Sequence, residues 1–433
     1  MAYTITLNSS TQTVNRDGDT AQVTMVFSSD GAGGNATFTM AFKNIRVASW
    51  GDLEWSYDFE DALLVPGTYK LKLFDFDGYL ESLFFGSAYA DLEKTALVTL
   101  TVNGDVKYIG TIQEDSVAYD VGERSVQFTC DPNILALNQT EIYDTDGTTP
   151  LNPFGYGETY RLITDLLDDI FQLIDPSISY AGGSLMVVQD WHFWAERYDP
   201  ADYKVKENIV FTELRQLTTP LYFDPTKGLT TVGDVLRKLA VDWCCFAGLI
   251  HSQRAFFKKL FYYDATNTQT LGTVKNRIFG YKYSLIDYVE ATNDVGQTIV
   301  YTQGTNSHIT DRYLKRDTLP GFYYDYAGSP TKGSNIMAVP TSEPYPGTYY
   351  IFKASDTNVP GGLVDFGQLV ANFWYHYRHD LQHSRVDRII AHGIDYDFLK
   401  DFTDDGRLYQ PIGMKISLAN NTTEIDALYL GEA

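Results

Sequence analysis

The sequence predicts a β-rich α+β fold: small antiparallel β-barrel domains with an inserted or following helix-bearing α+β domain. Three observations carry that prediction. Tyr and Phe supply 32 and 25 of the 433 residues, and both types suit the pleated, half-buried surface of a strand. Short alternating segments recur through the first 135 positions, separated by turns rich in Gly, Asn and Pro. Apolar residues at helical spacing are confined to a few segments farther along.

The first region, 1–135, reads as consecutive strands at Thr4–Leu7, Ala21–Phe27, Ala36–Phe42, Tyr69–Phe74, Val98–Val102, Lys107–Ile112 and Ser125–Thr129. Its turns "SSDGAGGNA", "VPGTY" and "VNGDV" carry Gly or Asn where positive φ is needed. Asn103-Gly104 is the favoured pair for a tight type I′ hairpin, here joining "LVTLTV" to "VKYIGTI". Regular spacing of short strands argues for a barrel or sandwich rather than a parallel α/β sheet.

The second region, 136–275, reads as α+β. Leu162, Ile163, Leu166, Leu167, Ile170, Phe171 and Ile174 recur at helical spacing, and Pro176 marks the stop. A second helix starts at Thr231, with Asp234 three residues on as its capping-box partner and Val235, Leu236, Leu239 and Trp243 as its apolar face. "CCFAGLI" and "RAFFKKLFYYD" follow as two strands joined through His251 and Ser252.

The third region, 276–433, is β-rich with one helix. "QTIVYTQ" is its clearest early strand, and the Tyr-rich stretch at 318–350 reads as a long loop, of the length that usually serves function. A helix follows in "LVDFGQLVANFWYHYRHDLQH", with Phe366, Leu369, Val370, Phe373, Trp374, Tyr377 and Leu381 on one side. "RVDRIIAHG", "GMKISL" and "EIDALYLGE" close the chain as strands. A length of 433 residues suits two to four domains at roughly 100–200 residues each.

Composition excludes several classes. With 33 basic against 56 acidic residues, the net charge of −23 opposes attraction to phosphate backbones or anionic lipid. Cys130, Cys244 and Cys245 are too few for a disulfide framework and read as buried thiols. The first residues alternate as a strand does, without the pattern of a signal peptide, and no run of 18 apolar residues occurs, so a soluble cytoplasmic product is expected. The sequons at Asn35 and Asn138 then read as chance matches.

Catalytic signatures are sparse. GxSxG, HExxH, the P-loop and a strand-to-helix GxGxxG are all missing from the sequence. His376, His379 and His383 share a helical face that could hold a metal, but no Cys or Glu pattern completes the set, so no metal is expected. "DFDG" at 75–78 resembles the start of a calcium loop without its later ligands and reads as a turn between strands. His192, His251, His308 and His392 are isolated and read as structural or surface residues. The expectation is therefore no enzyme, no cofactor and no catalytic residue.

The best ligand candidate is "QDWHFWAERYDPADY". Trp191, Phe193, Trp194 and Tyr198 cluster there near Asp190 and Glu196, a composition able to stack on a sugar ring and bind its hydroxyls. Aromatics in that number also fill subunit contacts. A glycan hydrolase with an unassigned carboxylate pair is a weaker reading, because 56 acidic residues make any pair uninformative.

Taken in order, "LVTLTVNGDVKYIGTI", "SVQFTCDPNILAL" and "TVGDVLRKLAVDWCCFAGLIHSQRAFF" resemble the baseplate hub, or tail-tip hub, proteins of tailed bacteriophages and related gene-transfer particles. In such hubs a strand pair ending in aromatic-x-Gly, here Tyr108-Ile109-Gly110, precedes an excursion strand, a helix-bearing domain and a helix feeding a hairpin. The resemblance covers roughly residues 60–265.

It implies a homotrimer whose paired barrels form a pseudo-sixfold ring around a DNA channel. Its partners would be a tail tube or distal tail protein above and a spike, fibre or tape-measure protein at the centre. Neither sequence-specific nucleic-acid binding nor a membrane segment of its own is implied. The place implied is the virion tail, after assembly in the host cytoplasm. Barrels in this family are often discontinuous, so "GMKISL" and "EIDALYLGE" are candidates to complete a barrel with earlier strands. The long loop at 318–350 departs from the simplest hub. The alternative reading is a carbohydrate-binding adhesion or distal tail protein that uses the aromatic cluster.

Overall fold

The computed structural model describes residues 4–28, 44–58, 62–86, 95–132, 135–142, 163–187, 191–199, 202–211, 231–242, 245–251, 253–258, 265, 267–280, 288–292, 298–301, 313–317, 338–340, 349–351 and 385–432. The expected strand Ala36–Phe42, the aromatic helix of 363–383 and most of the 318–350 loop lie outside them.

The first part of the chain forms β1 (Thr4–Ser9), β2 (Gln12–Thr13), β3 (Thr20–Ser28), β4 (Asn44–Trp50), β5 (Asp52–Asp58), β6 (Leu63–Pro66) and β7 (Tyr69–Phe74). After α1 (Tyr79–Phe85) come β8 (Leu97–Val102), β9 (Asp105–Ile112), β10 (Ala118–Asp120) and β11 (Ser125–Pro132). Seven of these close a barrel in the order β1-β4-β7-β11-β9-β8-β3, with β3 returning to β1. The fold is thus β-rich, with a small closed barrel at its start.

Alternation produces the barrel. Along β3, Ala21, Val23, Met25 and Phe27 are buried while their neighbours stay partly exposed, and β8 repeats the pattern with Val98, Leu100 and Val102. Asn103 at φ 49° and Gly104 at φ 92° make the β8–β9 turn in the left-handed region that the Asn-Gly pair predicts. The segment "DFDG" leads into α1 rather than into a strand. The buried Asp75 carboxylate accepts from the N–H groups of Leu80 at 2.9 Å and Glu81 at 2.8 Å, so its role is to cap the helix. α1 then sets Phe84 edge-on against Phe27, with ring centroids 5.4 Å apart.

The middle of the chain holds α2 (Leu135–Gln139), α3 (Ile163–Gln172), β12 (Leu185–Val187), β13 (Trp191–Asp199), β14 (Asp202–Phe211), α4 (Val232–Asp242), β15 (Phe246–His251) and β16 (Arg254–Lys258). Thr231 and Asp234 exchange the two capping-box bonds at 3.2 Å each. Val235, Leu236 and Leu239 are buried, as are Leu167, Ile170 and Phe171 of α3.

The last part contains β17 (Thr268–Thr270), β18 (Val274–Gly280), β19 (Tyr288–Thr292), β20 (Thr298–Tyr301), β21 (Tyr313–Asp317), β22 (Ala338–Pro340), β23 (Tyr349–Ile351), β24 (Val386–His392), β25 (Asp401–Asp404), β26 (Arg407–Ser417) and β27 (Thr422–Glu432).

A second sheet runs β12-β16-β15-β6-β5-β26-β27-β24-β18, with β25 and β17 attached through β26. It draws on distant parts of the chain. Gly413 to Ser417 pair antiparallel with Ser56 to Asp52, so a strand near the C-terminus lies beside the strand that leaves the barrel after β4. β5 and β6 therefore belong to this sheet although they lie between barrel strands in sequence. Buried residues of the barrel, this sheet and the helices form one continuous core.

Polar contacts tie the barrel to the sheet at its rim. Lys107 of β9 meets Asp395 at 2.9 Å, and Asp17, in the turn before β3, meets His392 Nε2 at 3.0 Å and the Asn421 amide.

Candidate functional site

The aromatic cluster singled out in the sequence lies on a ribbon of its own. β13 and β14 pair antiparallel, setting Trp191 opposite Phe211, Phe193 opposite Ile209 and Trp194 opposite Asn208. Tyr198 sits at a register shift between Arg197 and Asp199. Positions 191 and 193 are in phase along the strand and 194 is out of phase with them, since strand positions alternate between faces. Among the described residues this ribbon pairs with neither large sheet.

The histidines divide by position. His376, His379, His383 and His308 lie outside the described residues. His251 ends β15 and is buried, and its Nδ1 accepts from the Gln253 N–H at 3.3 Å. Burial first, and then the Arg254 charge, push its pKa down to about 4. It is therefore a neutral structural imidazole at pH 7. Among the described residues no group of three or more His, Cys, Asp or Glu side chains is placed to hold a metal. Nor is any described helix long and apolar enough to cross a membrane.

A buried polar network that sequence inspection missed lies where β16 meets the 395–401 segment. Lys258 and Asp401 form an ion pair at 2.9 Å with both side chains almost wholly buried, and Lys258 also donates to Leu399 O at 3.1 Å. Arg254 pairs with Asp397 at 2.6 Å. Burial alone would raise the Asp397 carboxyl, but Arg254 and the Leu399 N–H hold it below its usual range. Gln269 adds donor bonds to Asp397 O at 2.9 Å and Lys400 O at 3.0 Å. The cations are engaged by carboxylates and backbone oxygens, so the network fixes the segment rather than offering a nucleophile or a free base. Lys258 and Asp401 lie 143 positions apart, which leaves no local pattern by which to find them.

The aromatic-x-Gly motif acquires a geometric reason. Tyr108 and Gly110 are two apart on β9, and the Tyr108 hydroxyl donates to Cys130 O on β11 at 2.9 Å. A Cβ at position 110 would land on the Tyr108 ring and on Asp131 O. The ring lies over the glycine and fills the space a side chain would need, which seals the β9–β11 seam. The motif supports barrel closure and carries no reactive group.

Several apolar groups stay exposed among the described residues. Phe76 and Phe279 are 60% and 56% exposed, and Ile278 and Val121 are also open to solvent. The Arg385 guanidinium lies 3.7 Å from the Phe279 ring centroid and grips the buried Asp387 carboxylate with two donors at 2.6 and 2.8 Å. Tyr409 donates to the same carboxylate at 2.7 Å. Pre-organised aromatic and Arg groups of this kind are the usual anchors of protein interfaces.

No protein-family model matches the sequence, and no curated protein matches it. Among solved structures the chain is similar to the 43 kDa tail protein of prophage MuSo2 from Shewanella oneidensis, with TM-score 0.46 and 9% identity over 89% of this chain and 97% of that one. A tail protein from Neisseria meningitidis MC58 is similar with TM-score 0.44 and 10% identity over 89% and 95%. Prophage tail protein gp18 from Listeria monocytogenes EGD-e is similar with TM-score 0.36 and 10% identity, covering 88% of each chain.

Proposed function

We propose that this chain is a non-enzymatic structural protein of a bacteriophage tail, a trimeric hub that joins the sixfold tail tube to a threefold spike or fibre and surrounds the DNA channel. The observation that carries the reading is the pairing of β26 with β5. Through it the chain adds to its closed barrel a second β-sheet body drawn from both halves of the sequence. Three copies would then present six β-bodies, the number a sixfold tube requires.

The order of sequence elements that resembles hub proteins supports the same reading. So does the net charge of −23, which suits a wall that lets DNA pass without holding it. In the tail, the hub would meet the tube or distal tail protein on one side and the spike, fibre or tape-measure protein at its centre.

The experiment is the solution mass of the purified full-length chain by light scattering, with negative-stain imaging of whatever forms. A particle of three times the chain mass with a central opening is the expected result. A monomer at all concentrations would overturn it, and retention of that monomer on cell-wall glycan would support the carbohydrate-binding reading, in which the ribbon at 191–199 makes the contact.

A further inference from the structure

Among the described residues β1 and β4 run parallel, with Asn8 opposite Asn44 and Ser9 opposite Ile45. Past Ser9 the chain turns to pair Gln12 and Thr13 with β3, while β4 runs on to Trp50.

Among the described residues the neighbour of Val47 on this side is a side chain, that of Gln12. In the orientation that satisfies both of its polar atoms, the Gln12 amide donates to Val47 O at 3.3 Å and accepts from Val47 N–H at 3.0 Å. One primary amide thus exchanges with one residue the same two bonds that a residue of a neighbouring strand would exchange. Beside it lies an open groove of about 400 Å³ lined by Ser10, Gln12, Thr13, Ile45 and Arg46, a volume within the range of specific ligand sites. Four of its five lining residues, all but Ile45, carry polar side chains. Arg46 is exposed there, and its guanidinium lies 6.0 Å from the ring centroid of Phe74, which stacks on the exposed Phe76.

We infer that this seam is a strand-addition site, filled by an extended acidic segment of a neighbouring copy that replaces the Gln12 amide on Val47 and sets a carboxylate beside Arg46. The inference rests on the trimer reading and names the contact that would join one copy to the next. A strand edge offers backbone donors and acceptors to any extended chain, and charge then selects among candidates. A cation at the groove and 56 acidic against 33 basic residues over the whole chain make a second copy electrostatically suited to it. Because the groove and the inserted segment are different surfaces, the contact is head-to-tail and closes into a ring when the rotation permits.

The test is hydrogen exchange on the full-length protein, read over residues 45–50 in assembled and diluted samples, together with Arg46→Glu and Gln12→Ala variants. Assembly should slow exchange at Val47 and its neighbours. Arg46→Glu should raise the trimer dissociation constant by roughly tenfold while the diluted, dissociated chain melts as wild type does. Gln12→Ala, which removes the placeholder, should leave assembly intact or tighten it.

A trimer whose 45–50 exchange does not change on assembly, and whose stability Arg46→Glu leaves alone, overturns the seam while the hub reading stands. Protection that appears only when another tail protein is added makes that protein the occupant and likewise overturns the second-copy assignment. A chain that stays monomeric at every concentration overturns both.

Discussion

His251 is where a single side chain has the clearest solution signature. Its buried imidazole has a pKa near 4 in the folded chain, from burial and the Arg254 charge, against about 6.5 when unfolded. The unfolded chain therefore takes up the proton first as pH falls. The stability this residue contributes is complete above about pH 6.5 and is lost as pH drops towards 4, by at most about 3 kcal/mol. Urea denaturation at pH 7 and pH 4.5 should show wild type losing more stability than His251→Gln, and equal losses would remove His251 from the account. In the sequence, His251 reads as an isolated structural residue. The direction of its shift was not legible there, because Arg254 and the enclosing core become its neighbours only when β15 folds onto β16.

At the scale of elements, local patterns were read well where they are self-sufficient. The Asn103-Gly104 turn, the Thr231 capping box and the alternation of β3, β7 and β8 require only neighbours within a few positions, and each lies where its residues predict. The sequence reading has no strand at β4, β5 or β6, although Leu53, Trp55 and Tyr57 alternate into the core and the "VPGTY" turn follows β6. "DFDG" gave away its turn but not its helix, since the capping carboxylate acts five and six positions ahead.

Gly110 belongs to this scale, because its role is to let β9 and β11 close. Gly110→Ala would force the Tyr108 ring off the seam and press on Asp131 O. The expected cost is about 1–3 kcal/mol, seen as a lower denaturation midpoint with an unchanged slope. A midpoint equal to that of wild type would mean that the ring moves aside without cost.

For the whole molecule, the pairing of Gly280 with Val386 is the decisive contact. Residues 281–384 leave and rejoin the sheet at adjacent positions, and the strands described within them, β19 to β23, pair only among themselves. Replacing 281–384 with a short Asn-Gly turn should therefore leave the barrel and second sheet folded, with a β-type circular dichroism spectrum and a cooperative melt within a few degrees of wild type. Aggregation of that variant would show that the excursion is part of the core. The lesson for the candidate site is similar. The aromatic residues 191–198 were easy to see in sequence, whereas the Arg385–Phe279 stack and the Gln12–Val47 bond exist only because remote strands meet.

What the sequence determined by itself was the class of the fold and the faces of its strands and helices, because burial alternates with the period of each element and turns need particular φ values. What only the tertiary structure decided was which strands share a sheet: Ser56 beside Gly413, Gly280 beside Val386, Asp17 beside His392. The physical reason is that ladder hydrogen bonds are made by the backbone, which is the same at every residue. Partner choice is therefore set by the packing of one shared core, and that packing is not written in any local stretch of the chain.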